Sequence, residues 1–179
     1  MNSSVSQGLP LLKNAAGQPA LCLVTGATGY IGGRLIVELL KHGYRVRILA
    51  RNADRLKYHP WIDQVEVSEG DAHNPNVLAE AMIDVDVAYY LLHALMSKDN
   101  FEQEEREMAE GFGAAAKQAK VKRIVYLGGI IAPNETMSPH LQARAETGEI
   151  LRASGVSTIE LRAGVVIGSG SASFEMLRY

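Results

Sequence analysis

From residue 20 onward the chain alternates short apolar runs with stretches whose apolar residues recur every three or four positions. Ala20 to Thr25 (ALCLVT) is almost wholly apolar and is stopped by Gly26, the pattern of a strand buried on both faces. Tyr30 to His42 places Ile31, Leu35, Leu39 and Leu40 on one helical face, with Gly43 as a stop signal. Tyr44 to Ala50 predicts a second strand, Asn52 to His59 a short helix ended by Pro60, and Ile62 to Ser68 a third strand. Asn76 to Ile83 has a helical pattern, and Asp86 to Leu92 (DVAYYLL) predicts a fourth strand. The longest helical pattern, Asp99 to Lys120, carries an apolar stripe through Phe101, Met108, Ala109, Phe112, Ala116 and Ala119. Glu102, Glu104, Glu105 and Glu107 fall largely off that stripe and predict a solvated face, near the helix start where they complement its dipole. Arg123 to Leu127, ending in Gly128 and Gly129, predicts a fifth strand. His140 to Ala153 predicts a helix closed by Gly155, and Val156 to Leu161 a sixth strand.

Strand and helix thus alternate throughout. Parallel strands need crossover helices, so the pattern predicts an α/β fold: a doubly wound parallel sheet (Rossmann fold) of about six strands with helices on both faces. Such sheets bind ligands beyond the carboxyl ends of their strands, near the switch in strand order. Functional residues are therefore sought at those ends.

Composition narrows the function classes. The 179 residues carry 18 basic and 20 acidic side chains, a net charge of −2, which gives no general attraction to nucleic acid or anionic membrane. Neither is expected as a partner. No apolar run approaches the roughly 18 to 20 residues that span a bilayer. The first 19 residues are polar and lack the apolar core of a secretory signal, so they are expected to be a flexible leader, with residues 20–179 as one domain. The lone cysteine, Cys22, has no internal partner and is expected to be inert core within the first strand; the default location is the cytoplasm. His42, His59 and His73 have no metal-ligand spacing, and no metal site is expected. Tyr89 and Tyr90 should face opposite sides of a strand, and Trp61 should cap the sheet edge.

The strongest chemical signal is Thr25-Gly26-Ala27-Thr28-Gly29-Tyr30-Ile31-Gly32-Gly33, between the first strand and the first helix. Gly26 permits the tight turn, Gly29 lets backbone approach a diphosphate, and Gly32 allows close helix–strand packing. The helix start then offers unpaired N–H groups, those of Tyr30 and Ile31 among them, and a partial positive charge to an anion. At the end of the second strand, where an acidic residue selects NAD by its ribose hydroxyl, stands Arg51. A guanidinium attracts a 2′-phosphate instead, so NADP(H) is favoured over NAD(H).

VTGATGYIGG, YLGG and the later LRAG resemble the extended and atypical short-chain dehydrogenase/reductases. DVAYYLLHAL, FEQEEREMA, RIVYLGG and GSGSASFEMLRY are similar to an uncharacterised bacterial branch of NmrA-like NAD(P)H-binding proteins, and the likeness covers residues 20–179. The resemblance implies that Gly26, Thr28, Gly29, Tyr30, Ile31 and Gly32 hold the diphosphate and that Arg51, helped by Arg55, meets the 2′-phosphate. It implies an adenine contact for Asp71 and a backbone contact for Ala72; the other reading of Asp71 is a cap for the following helix. Leu92 and His93 would line the ribose and nicotinamide side, with His93 donating to a ribose hydroxyl, acting in chemistry, or serving as a polar rim.

The familiar Ser-Tyr-Lys set is missing. Gly128 and Gly129 stand where the Ser is expected, and the Tyr-x-x-x-Lys position reads His140-Leu-Gln-Ala-Arg144. His140 and Arg144 are four apart and share a helical face. An imidazole can donate a proton near neutrality, whereas a guanidinium can bind hydroxyls but not release a proton. His140 and Arg144 are the catalytic candidates, with Ser138 nearby; surface pairing of Arg144 with Glu146 or Glu149 is the other reading. Relatives continue past Tyr179 into a substrate-side region, so the chain is expected to be truncated before it. The sequence predicts an NAD(P)H-binding oxidoreductase of unknown substrate; the alternatives are a non-catalytic redox sensor or assembly subunit, and an isomerase or dehydratase.

Overall fold

The most apolar segment occupies the middle of the sheet. In this computed structural model, which describes residues 11–93, 101–130, 137–164 and 166–168, β1 is Leu21–Thr25 and every residue in it is buried. Its side chains alternate between two cores, as strand geometry requires. Leu21 and Leu23 point to one, Cys22 and Val24 to the other.

Around β1 lie β2 (Arg45–Ala50), β3 (Glu66–Glu69), β4 (Val87–Tyr90), β5 (Arg123–Gly129) and β6 (Thr158–Ala163), all parallel, in the order β3-β2-β1-β4-β5-β6. The order reverses between β1 and β4. The helix α1 (Tyr30–Lys41) packs Ile36 and Leu39 into the Cys22/Val24 core, together with Ile48, Leu56 and Trp61. On the opposite face α2 (Pro75–Ala81), α3 (Phe101–Gln118) and α4 (Pro139–Ala153) enclose Leu78, Phe112, Tyr90, Tyr126 and Leu151. Helices therefore cover both faces, and the predicted Rossmann fold is the fold observed.

Several expectations change in detail. Residues 62–64 form a single 3-10 turn rather than the start of a strand, because Trp61 turns inward, 4% exposed and stacked on His59, before β3 begins at Glu66. The weak helix after β2 is likewise one 3-10 turn, Ala53–Leu56, anchored by buried Leu56. Gly128 and Gly129 lie inside β5, paired with Arg162 and Ala163 of β6, rather than after it. Residues 11–19 of the expected leader close a turn: Asn14 Oδ1 accepts from Ala16 and Gln18 N–H, Lys13 bridges Pro19, and Leu12 N–H donates to the Tyr44 hydroxyl. Glu105 departs most. It is 8% exposed on the inner side of α3, beside Tyr90 and Tyr126, not on a solvated face. Residues 1–10, Ala94, Asp99 and the 169–179 segment lie outside the described residues.

Among the described residues no helix is long and apolar enough to cross a membrane, and no cluster of three or more metal-ligating side chains occurs. Cys22 is buried as expected, its thiol pushed up to about 12 by burial and by the nearby Asp86 charge.

Candidate functional site

A cleft of about 530 Å³ opens at the carboxyl ends of the strands, where the order of the sheet reverses. Gly26, Ala27, Thr28 and Gly29 form one wall, Leu49 to Asn52 and Arg55 another, Gly70 to His73 a third, and Leu91 to His93 with Glu104 and Met108 the rest. Five separate segments thus converge on one space.

The loop between β1 and α1 owes its shape to missing side chains. Gly26 has φ +70°, and a Cβ there would stand 2.6 Å from the Leu91 carbonyl oxygen. A Cβ on Gly32 would collide with the Gly26 carbonyl oxygen, so the helix start can press against the loop only as glycine. Gly29 is the N-cap of α1, with extended backbone and no side-chain cap. The first-turn amides consequently have no partner within the helix and carry the positive end of its dipole directly behind the wall formed by Thr28 and Gly29. Thr25, fully buried, ties this loop to the opposite wall: its Oγ1 donates to Tyr89 O (2.9 Å) and accepts from Leu91 N–H (3.0 Å). Sequence reading missed that brace, although a lone hydroxyl in a buried apolar strand is the signal for it.

Of the residues assigned to a dinucleotide, Gly26, Thr28, Gly29, Arg51, Asp71, Ala72, Leu92 and His93 line the cleft. Tyr30, Ile31 and Gly32 do not; they form the first turn behind it. The Tyr30 ring lies beneath the Arg34 guanidinium, 3.6 Å from its carbon, and its hydroxyl reaches the Gly168 backbone. Arg51 is exposed at the end of β2, and its charge reaches Asp71 on the neighbouring wall. Asp71 Oδ1 accepts from His73 N–H (2.9 Å) and meets His73 Nδ1 (2.8 Å). The backbone bond from His73, with the ring contact and the Arg51 charge, holds the carboxyl below its usual range. Asp71 does not cap α2: Asn74 does, accepting from Asn76 N–H at 2.9 Å.

The other end of the cleft carries the catalytic candidates, and the structure sets them apart. His140 is exposed at the start of α4 and packs tilted against the Phe101 ring, centroids 4.7 Å apart, and is not among the residues lining the cleft. Arg144 turns inward instead, donating to Leu127 O (2.9 Å) and meeting His93 Nε2 (3.2 Å). It makes neither of the surface pairs with Glu146 or Glu149; Glu146 pairs with Arg106 at 2.6 Å. Ser138 caps α4, accepting from Leu141 N–H, and so is committed structurally. A side chain at the serine position would have to displace the tips of neighbouring side chains. A Cβ on Gly128 would meet Glu160 Oε1 at 2.6 Å, and one on Gly129 would meet Leu141 at 2.8 Å. Glu160 is itself clamped by Arg152 and by Arg162 (3.1 Å); burial works against its charge, but these bonds outweigh it and keep the carboxyl below its usual range.

A parallel sheet of this order, with a glycine loop at its switch point and a cleft beyond its strand ends, defines a dinucleotide-binding α/β domain. More particularly, the chain belongs to the NAD(P)H-binding family, whose family profile matches residues 26–171. It is 28% identical over 151 residues to a ceramide reductase of Caulobacter vibrioides, spanning 82% of this chain and 46% of that one. It is 32% identical over 116 residues to a 3 beta-hydroxysteroid dehydrogenase/Delta 5-->4-isomerase of Mycobacterium tuberculosis, spanning 58% of this chain and 30% of that one. The chain therefore spans less than half the length of these curated relatives. Among solved structures, the triphenylmethane reductase of Citrobacter superposes with a TM-score of 0.70 at 25% identity, covering 82% of this chain and 49% of that one. The same reductase complexed with NADP(H) superposes at 0.67 and 24% identity, covering 82% and 50%.

Proposed function

We propose that this chain is the cofactor-binding part of an NADP(H)-dependent oxidoreductase of the atypical short-chain type. The observation that carries the reading is the glycine loop before α1 and Arg51 after β2 converging on one cleft at the sheet's switch point. The residues present fit a dinucleotide. Thr28 and Gly29 give the floor for a diphosphate, the α1 amides supply donors, and the volume lies within the range of small-molecule clefts. Arg51 and Arg55 supply positive charge where a 2′-phosphate would lie. When bound, the nicotinamide supplies the hydride; the chain supplies orientation and a local field. His140 is the proton-donor candidate of this reading, and His140→Ala with unchanged turnover would remove it. The unpaired Cys22 supports a cytoplasmic setting.

Arg51→Ala tests the cofactor choice. Losing a bidentate phosphate partner should weaken NADP binding about tenfold or more while NAD binding changes less than about threefold. Equal losses would defeat the assignment.

A second reading, a dinucleotide-responsive sensor without turnover, draws on the serine position, which glycine holds and where the Glu160 and Leu141 side chains sit in place of a hydroxyl. Consumption of NADPH against a carbonyl panel separates the two; tight binding with no consumption favours the sensor.

A further inference from the structure

Two acidic side chains flank the segment that carries Arg51, and neither pairs with it. β2 ends at Ala50 and β3 at Glu69; the two are register partners, and Gly70 N–H donates to Ala50 O at 2.9 Å. Arg51 follows the one and Asp71 the other, so they leave the sheet side by side and line the same cleft. Asp71 nevertheless bonds to His73, and Glu69 Oε1 accepts from Ala53 N–H (3.3 Å). Among the described residues Arg51 enters no ion pair. We infer that His73 is a positioning residue for cofactor choice: by holding the Asp71 carboxylate it keeps Arg51 unpaired, and so raises the preference of the cleft for a dinucleotide bearing a 2′-phosphate. This rests on the dinucleotide reading above and gives His73 no contact with the ligand.

The clamp is built from one short turn. Asn74 N–H donates to Asp71 O at 3.0 Å and His73 N–H to Asp71 Oδ1 at 2.9 Å, so the chain after β3 fixes the carboxylate before the ring adds to it. His73 Nδ1 then lies 2.8 Å from the same oxygen. A carboxylate has only acceptors, so Nδ1 is the donor there. Two bonds on one oxygen stop the carboxylate from turning to meet a guanidinium with both oxygens, the arrangement that makes such pairs strong. The charges agree with the geometry. The His73 amide does most to hold the Asp71 carboxyl below its usual range, burial opposes it, and the His73 ring and lastly the Arg51 charge add to it. Arg51 thus acts on Asp71 across a gap, not through an ion pair.

A pair between Arg51 and Asp71 would compete with the 2′-phosphate, because the guanidinium would have to leave one anion to bind the other. The Asp71 and His73 side chains are 50% and 43% exposed, so water screens the competition and its effect is a few-fold in affinity, not orders of magnitude. NAD+ has a hydroxyl in place of the phosphate. It does not call on the Arg51 charge and should be indifferent to the clamp.

Isothermal titration calorimetry with NADP+ and NAD+ reads the consequence. His73→Ala should weaken NADP+ binding about three- to fivefold and change NAD+ binding by less than about 1.5-fold. His73→Asn, whose side-chain amide nitrogen stands near the place of Nδ1, should recover at least about half of that loss. With Arg51→Ala or Asp71→Asn as background, His73→Ala should no longer separate the two dinucleotides, since one partner of the competing pair is gone. Arginine Nε–H relaxation in the ligand-free protein reads the pair itself. The Arg51 signal, identified by its loss in Arg51→Ala, should be mobile in wild type and more restricted in His73→Ala. Equal losses for both dinucleotides, a selective loss that persists in Asp71→Asn, or an Arg51 signal unchanged by His73→Ala would overturn the inference. Wild-type protein that binds neither dinucleotide, or Arg51→Ala that weakens both alike, would instead overturn the parent reading; the relaxation comparison would still decide whether His73 keeps Arg51 unpaired.

Discussion

Two glycine pairs stand at two strand ends of this molecule, and they serve opposite ends. In the β1–α1 loop the missing side chains of Gly26 and Gly29 let backbone close on backbone, against the Leu91 and Gly26 carbonyls, and it is this bare backbone that lines the cleft. In β5 the space beside Gly128 and Gly129 is filled by the protein's own Glu160, Leu141 and Arg144. A glycine at a strand end is therefore not in itself a ligand signal. What the surrounding chain places in the gap decides. At the first loop it places the chain's own backbone carbonyls; at the second it places a clamped carboxylate and a guanidinium turned toward His93.

The comparison is broken most severely at Gly32. Gly32→Val drives a branched side chain into the Gly26 backbone, so dinucleotide affinity should fall at least about 100-fold and stability by roughly 3 kcal/mol. Calorimetry and thermal unfolding check both; a well-folded variant of unaltered affinity would remove the loop from the site.

Next in size is acid sensitivity at His93. Its folded pKa, about 4, lies below the ordinary 6.5, so the unfolded chain binds more protons between those values. Stability should thus be lost as pH falls from 6.5 to 4, by up to about 3 kcal/mol. Denaturant titrations should show His93→Asn losing that much less than wild type over the window. Parallel acid profiles would contradict the buried neutral ring.

At the second glycine pair, Gly128→Ser should cost about 1–3 kcal/mol by displacing Glu160, with dinucleotide affinity changed less than about threefold. Urea unfolding reads the first effect and calorimetry the second. A serine accepted without cost would mean that the position is open after all. Smallest is Arg152→Ala, which removes one of the two arginines on Glu160. Being partly exposed, it should cost only about 0.5 kcal/mol, and it should lessen the penalty of Gly128→Ser in a double-mutant cycle.

Legibility followed the same divide. The fold was readable because β1, β2 and β4 are apolar runs between helical periods, and periodicity is a local property. The loop was readable because steric demands at Gly26 and Gly32 act within a few residues of each other. What escaped depended on long-range contact. Glu105 is the exception: four residues after Phe101 and three before Met108, it lies on the apolar stripe by spacing, so its burial beside Tyr90 and Tyr126 was legible and its acidic neighbours in sequence obscured it. Trp61 reads as a cap after Pro60, yet turns into the core and delays β3. His140 and Arg144 share a helical face by spacing, but Phe101 takes one outward and the Leu127 carbonyl draws the other inward. Helical spacing fixes a direction, not a partner.

The most direct measurement is isothermal titration calorimetry of the wild-type protein with NADP+ and with NAD+ in the same buffer. Saturable one-to-one binding, with NADP+ at least about tenfold the tighter, is the predicted result. A folded protein that takes up neither dinucleotide at millimolar concentration would contradict it.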